Sequence, residues 1–248
     1  MILTLDIGNT NIKSALFQGD QISEFVVHSS LENAINYSYK TDFTEAAICS
    51  VNPSGYQLLR EKISSKNIPI FKVNSQNKFN LEIKYETPNT LGIDRICSAV
   101  GAFKIASIQN LLSENQYLIT IDFGTATTIN IVSPEKEFVG GLIAPGIKTM
   151  LHSLHDNTAQ LPLPDPSLYK ELIGNSTNTS IISGVINATV GMISQTLNNL
   201  KTKSDIDPVI FVTGGNSNFI LSHLKYKVFY DEALVLRGLK FIYDMNKK

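Results

Sequence analysis

Two segments of the sequence share one pattern, and they lie close to half the chain length apart. Residues 3–12 read LTLDIGNTNI and residues 119–128 read ITIDFGTATT, in a chain of 248 residues. Each has apolar residues around a threonine, then Asp-x-Gly, then small amide or hydroxyl residues that lead into a strand. A repeat at half the chain length indicates internal duplication. We therefore predict two similar domains, residues 1–114 and 115–248.

Strand and helix signals alternate along both halves, which predicts an α/β fold. Each half opens with a three-strand meander. The predicted strands are 2–5, 12–17, 21–27, 45–51, 70–73, 117–121, 129–132, 138–143, 208–213 and 226–230. The predicted helices are 30–36, 54–65, 93–108, 145–154, 178–200 and 232–245.

Composition excludes several classes of protein. A hydrophobic fraction of 43% is enough for a core and rules out a mainly disordered chain. A net charge of −1 gives no long-range attraction to nucleic acid or anionic membranes. No apolar run reaches the length of a membrane span. The two cysteines, Cys49 and Cys97, are too few for a disulfide framework. We expect a cytoplasmic protein that binds neither nucleic acid nor membrane.

The first Asp-x-Gly loop has the chemistry of a phosphate site. Gly8 lets a ligand approach the backbone, and Asn9, Thr10 and Asn11 add side-chain donors. Lys13 adds a cation. The carboxylate of Asp6 repels bare phosphate, so it fits only if a metal ion such as Mg²⁺ bridges the two. An ordinary hairpin turn of the Asx type is the alternative.

The second loop repeats this chemistry with hydroxyl groups. Asp122 and Gly124 are followed by Thr125, Ala126, Thr127 and Thr128. A third strand-end segment, Gly214-Gly215-Asn216, could admit a phosphate or an adenosine against bare backbone, or could simply begin a helix.

Two further motifs are rejected. Residues 141–149, GLIAPGIKT, resemble a phosphate-binding P-loop, but Ile147 separates Gly146 from Lys148 and Pro145 interrupts the loop. His152 and His155 could share a metal ion at their spacing, but solvated or capping histidines are the more common outcome.

The segment Gly92-Ile93-Asp94-Arg95 opens a predicted helix. An aspartate there can accept a proton from a substrate hydroxyl, and the adjacent arginine can bind a carboxylate with its planar fork. The alternative is a carboxylate that the helix dipole favours, next to a solvated arginine. From spacing alone this alternative is favoured.

Taken together and in order, the motifs resemble the type III pantothenate kinases, members of the acetate kinase, sugar kinase and actin superfamily. The resemblance covers nearly the whole chain. The motifs are DIGNTNIK at 6–13, SVNP at 50–53, Tyr85 followed by TPNTLGIDR at 87–95, VGAF at 100–103, DFGTATT at 122–128, GGLIAPG at 140–146, TAQLPLP at 158–164, NST at 175–177, VTGGN at 212–216 and LVLRGL at 234–239.

The resemblance implies two duplicated ribonuclease-H-like halves of the actin-like ATPase type, each a mixed sheet with helices on both faces. It implies ATP-dependent phosphorylation of pantothenate, the first step of coenzyme A biosynthesis, by a homodimer that uses Mg²⁺ and a monovalent cation, K⁺ or NH₄⁺. Asp94 would be the general base and Arg95 would hold the pantothenate carboxylate. The same pocket would be lined by Tyr85, Gly92, Ile93 and Thr177, the last reaching in from the partner subunit.

For the nucleotide, the resemblance implies that residues of the three glycine-containing segments contact ATP. These residues are Asp6, Gly8, Asn9, Thr10, Asn11, Lys13, Thr125, Gly214 and Gly215. Asp6 would hold Mg²⁺ through water, Asp122 would bind the monovalent cation, and Thr127 would lie near the phosphates. The chain departs from the family pattern at Asn52 and Cys97.

Two alternatives remain open at this point. A non-catalytic accessory transcription protein could use the same scaffold, although Asp6, Asp94 and Asp122 are all present. A kinase for another small hydroxy acid would share every motif.

Overall fold

The computed structural model describes residues 1–64 and 66–247. Its strands are β1 (Ile2–Ile7), β2 (Ile12–Gln18), β3 (Gln21–His28), β4 (Glu45–Ser50), β5 (Ile70–Lys72), β6 (Glu82–Ile83), β7 (Leu118–Phe123), β8 (Ala126–Val132), β9 (Glu137–Pro145), β10 (Val209–Thr213) and β11 (Phe229–Tyr230). Its helices are α1 (Leu31–Lys40), α2 (Pro53–Ser64), α3 (Ile93–Ile108), α4 (Ile147–Asp156), α5 (Thr177–Ser204) and α6 (Leu234–Asn246).

The chain divides into two compact units. Unit 1 comprises residues 1–111, 136–139 and 233–248, and unit 2 comprises residues 112–135 and 140–232. The first boundary lies three residues from the predicted one. The C-terminal helix α6 and the short segment 136–139 differ from the predicted split, because both pack within unit 1.

Unit 1 is built on a five-stranded mixed sheet with the order β3-β2-β1-β4-β5. The meander β1-β2-β3 is antiparallel, whereas β4 runs parallel to β1 and β5 runs parallel to β4. Alternate residues of β1 point to one face, where Leu3, Leu5 and Ile7 pack with helices α1 and α2. On β2, Phe17 packs with Leu236 of α6 in a separate cluster.

Helices α3 and α6 pack so closely that their backbones touch. A Cβ atom on Gly238 would lie 1.8 Å from the carbonyl oxygen of Cys97, and one on Gly101 would lie 2.6 Å from the carbonyl oxygen of Leu234. Only glycine fits at these two positions. The close contact explains why α6 belongs to unit 1, since its buried face lies against α3 rather than against the segments that precede it in the chain.

Unit 2 repeats the strand arrangement of unit 1. Its strands follow the order β9-β8-β7-β10-β11, with β7 and β8 antiparallel and β10 parallel to both β7 and β11. Ile121 and Val212 of the sheet pack with Ile182 and Ile186 of α5. The first residues of β9 lie in unit 1, where they pair with β6. The matching orders confirm the predicted α/β fold with two similar halves.

Each predicted helix and strand corresponds to an observed one, with shifts at its ends. The short strand β6 was not predicted, because its two residues carry no sequence signal of their own. The last residue of the predicted helix 54–65 lies outside the described residues, and α2 is described as far as Ser64.

By length and composition alone, helix α5 could cross a membrane, as the core helices of soluble proteins also could. Its most apolar stretch of 18 residues is 44% buried inside the protein. The buried apolar residues of α5 belong to the core of unit 2.

Candidate active site

The first loop joins β1 to β2 and presents polar side chains to solvent. Asp6 is the register partner of Lys13 on β2. The N–H of Gly8 donates to the carbonyl of Asn11 at 3.2 Å, and a Cβ on Gly8 would lie 2.9 Å from that oxygen. The turn is therefore too tight for a side chain at Gly8. Asn9, Thr10 and Asn11 are exposed, as a ligand-contacting loop requires.

Asp94 is the second residue of α3, two positions after the N-cap residue Gly92. Its Oδ1 accepts a hydrogen bond from the N–H of Arg95 at 2.9 Å. Burial raises the pKa of Asp94, and the hydrogen bond and positive charge of Arg95 offset only part of this effect. A Cβ on Gly92 would lie 2.5 Å from Oδ1. The carboxylate of Asp94 therefore lies so close to the backbone of Gly92 that a side chain at residue 92 would collide with it.

Arg95 is buried between two aromatic rings. Its guanidinium carbon lies 5.9 Å from the ring centre of Tyr85 and 5.8 Å from that of Phe138. The rings themselves are 6.3 Å apart in an edge-to-face arrangement. The side chain of Arg95 is only 6% exposed, so it is not the solvated arginine that spacing alone favoured. Phe138 was not predicted as a site residue, because it lies far along the chain from Arg95.

A buried pair of thiols lies close to both Asp6 and Asp94. The pKa of Cys49 is raised well above its usual value, first by a hydrogen bond with Cys97, then by burial, and further by nearby charges that include Asp6 and Asp94. Cys49 is the register partner of Asp6 on the neighbouring strand, and Cys97 lies one helical turn after Asp94. Unit 1 therefore brings the first loop and the start of α3 to the same thiol pair.

The second loop, in unit 2, has its own close contact between carboxylate and glycine. Gly214 has a φ of +100°, and a Cβ there would lie 2.5 Å from Oδ1 of Asp122 and from the backbone N of Phe123. Gly215 is exposed, with open space around it. Thr125 is exposed, whereas Thr127 is fully buried and does not reach solvent.

The remaining predicted positions fall at the surface of unit 2. Thr177 is the first residue of α5 and is exposed, next to the capping box of Ser176 and Thr179. His155 contacts the carbonyl of Leu161 through Nδ1 at 2.9 Å. Among residues 1–64 and 66–247, no cluster of three histidine, cysteine or acidic side chains could hold a metal ion.

Comparison with known proteins identifies relatives that span most of the chain. Residues 2–199 match the sequence profile described as type III pantothenate kinase. A curated type III pantothenate kinase from Finegoldia magna is 33% identical and aligns over 100% of this chain and 98% of its own length.

Solved structures share the fold at lower identity. A conserved protein from Campylobacter jejuni, assigned to the Baf family of transcriptional activators, has a TM-score of 0.65 at 22% identity and is matched over 98% of both chains. A glucokinase from an Antarctic psychrotroph has a TM-score of 0.52 at 12% identity, over 96% of this chain and 97% of its own. Both likenesses are at the level of the fold. With a profile match over most of its length and a full-length relative at 33% identity, the chain belongs to the type III pantothenate kinase family.

Proposed function

We propose that this protein transfers the γ-phosphoryl group of ATP to pantothenate, giving 4'-phosphopantothenate in the first step of coenzyme A biosynthesis in the cytoplasm. One observation carries the proposal beyond family membership. The half-buried carboxylate of Asp94 lies against Gly92, beside a buried Arg95, at the start of α3.

Asp94 acts as the general base in this proposal. It accepts the proton of the pantothenate primary hydroxyl as that oxygen attacks the γ-phosphorus in line with the leaving oxygen. A base with a pKa closer to neutrality holds the proton better during transfer, and burial moves the pKa of Asp94 in that direction. Such a base contributes about 10²-fold to 10⁴-fold to the rate.

Arg95 binds the pantothenate carboxylate with its planar guanidinium. The rings of Tyr85 and Phe138 restrict the guanidinium, so little side-chain freedom is lost on binding. Gly92 and Ile93 line the same pocket, and Thr177 of the partner subunit completes it in a homodimer.

ATP contacts the three glycine-containing segments. Asp6, Gly8, Asn9, Thr10, Asn11 and Lys13 face the phosphates, and Thr125, Gly214 and Gly215 contact the nucleotide from the second half. The donors fit a hydrated Mg²⁺, because Asp6 supplies one carboxylate in a loop of exposed amide and hydroxyl side chains. Asp122 holds the monovalent cation, K⁺ or NH₄⁺. When bound, the cations neutralise phosphate charge.

A coupled assay of ADP release tests the proposal, run with ATP, Mg²⁺ and pantothenate, and with K⁺ exchanged for Na⁺. We expect turnover that requires pantothenate and is higher in K⁺. The Asp94→Asn variant should lose at least about 10²-fold in kcat while the protein stays folded. Absence of pantothenate-dependent turnover in either salt would defeat the assignment and favour a non-catalytic role. Turnover with a different hydroxy acid alone would identify another substrate.

A further inference from the structure

The turn between β9 and α4 is the segment whose sequence resembles a P-loop, and its contacts give it a different role. Gly146 is the N-cap residue of α4, and its N–H donates to the carbonyl of Thr125 at 2.9 Å. The hydroxyl of Thr149, in the first turn of α4, donates to the same oxygen at 2.6 Å. The Nζ of Lys148 lies 5.9 Å from the ring centre of Phe219.

The backbone of the turn between β9 and α4 lies in direct contact with the second Asp-x-Gly loop. A Cβ on Gly146 would lie 2.3 Å from the carbonyl oxygen of Gly124 and 2.6 Å from that of Thr125. The two backbones are therefore in contact, with no room for a side chain between them. This contact explains the glycine at 146 without any phosphate bound to the turn itself.

Asn216 holds the same loop through separate bonds. Its side-chain Nδ2 donates to the carbonyl of Gly124 at 3.1 Å, and its backbone N–H donates to the carbonyl of Phe123 at 3.0 Å. Three consecutive carbonyls, of Phe123, Gly124 and Thr125, thus have donors from two other segments of unit 2.

Fixing these carbonyls also fixes the amides that follow them. In a planar trans peptide the C=O and the next N–H point in opposite directions. Donors on the carbonyls of Gly124 and Thr125 therefore turn the N–H groups of Thr125 and Ala126 away from those donors. Successive N–H groups held in one orientation form the kind of concave surface that receives a phosphate.

We propose that Thr149 and Asn216 are positioning residues for nucleotide binding, which set the orientation of the Thr125 and Ala126 amides towards the phosphates of ATP. The inference rests on the proposed kinase function for its ligand. The positioning itself depends only on contacts within unit 2. The P-loop-like segment then acts through its threonine and glycine on a neighbouring loop, and its lysine has no part.

The test compares three variants at neighbouring positions. Thr149→Val keeps the shape and removes the donor, Thr149→Ser restores the donor, and Lys148→Met is the matched control for a P-loop role. We expect Thr149→Val to raise KM for ATP about tenfold, the effect of one lost hydrogen bond, with KM for pantothenate within about twofold of the original. Thr149→Ser should recover most of the loss, and Lys148→Met should behave as the unmodified protein.

A second measurement separates this inference from the proposed function. Amide hydrogen exchange at Thr125 and Ala126 should be faster in Thr149→Val and in Asn216→Leu, and unchanged in Lys148→Met. Unchanged exchange in both variants, or an unchanged KM for ATP in Thr149→Val, overturns the positioning role. If the unmodified protein has no pantothenate-dependent turnover, the proposed function fails, and the exchange rates alone still decide whether these residues orient the loop.

Discussion

Replacing Gly92 by alanine tests whether the Asp94 carboxylate depends on its glycine neighbour. The added Cβ would lie 2.5 Å from Oδ1 of Asp94, whereas an unstrained carbon–oxygen contact is about 3.3 Å. The carboxylate must therefore move by most of an ångström. A misplacement of this size costs up to about 10²-fold in rate, so we expect kcat to fall between about tenfold and 10²-fold.

The fold should tolerate this change. Gly92 has a φ of −55° and a ψ of 124°, which alanine adopts without strain. Alanine is a poorer N-cap residue than glycine, and the loss in free energy of unfolding is about 0.5 kcal/mol. Gly191→Ala is a matched control, because open space surrounds that position in α5. It should leave kcat unchanged.

The assay is the coupled measurement of ADP release at saturating ATP and pantothenate, together with a thermal melt of each variant. If Gly92 acts only through Asp94, then Gly92→Ala should cause no further loss in an Asp94→Asn background. A kcat within twofold of the original in Gly92→Ala would refute the reasoning, as would a further drop in the double variant.

Four other outcomes are expected. Because burial raises the pKa of Asp94 and the base must be ionised, kcat should decline on acidification at a pH above the usual aspartate range. With a raised pKa, the native state holds this proton more tightly than the unfolded chain does. The free energy of unfolding should therefore decrease as pH rises from the ordinary aspartate pKa through the raised one. Denaturant titrations should show that Asp94→Asn lacks this decrease. Phe138→Leu removes one ring from Arg95 and should raise KM for pantothenate about threefold to tenfold, with KM for ATP unchanged in the same assay. Gly238→Ala forces α3 and α6 apart and should lower the free energy of unfolding by about 1–3 kcal/mol in urea titrations, and an unchanged midpoint would contradict the close packing.

The local elements could be predicted from sequence because their signals are local. Strands β1 and β7 and the loops after them follow from alternating apolar residues and an Asp-x-Gly turn. The state of Arg95 could not be predicted in this way. Its burial depends on Tyr85 and Phe138, and Phe138 reaches it through the pairing of β6 with β9, two residues on each strand. Spacing alone therefore favoured a solvated arginine.

The sequence predicts a domain boundary at residue 114, and the first segment of unit 1 ends at residue 111. The position of α6 could not be predicted, because nothing in LVLRGL indicates which helix will lie against its glycine. The contacts of Gly146 and Thr149 could not be predicted from sequence either. Both residues donate to a backbone carbonyl of a loop that lies far away in the chain.

The packing of α6 against α3 also sets an order for folding during synthesis. The ribosome makes all of unit 2 after the first 111 residues of unit 1 and before α6. Domains that are continuous in sequence can fold as they emerge, N-terminal first. Here the first unit lacks the helix that covers Phe17 and the glycine face of α3 until α6 has left the exit tunnel. All residues of unit 2 emerge before that point, so the helix that carries Asp94 gains its packing against α6 only after unit 2 has been made.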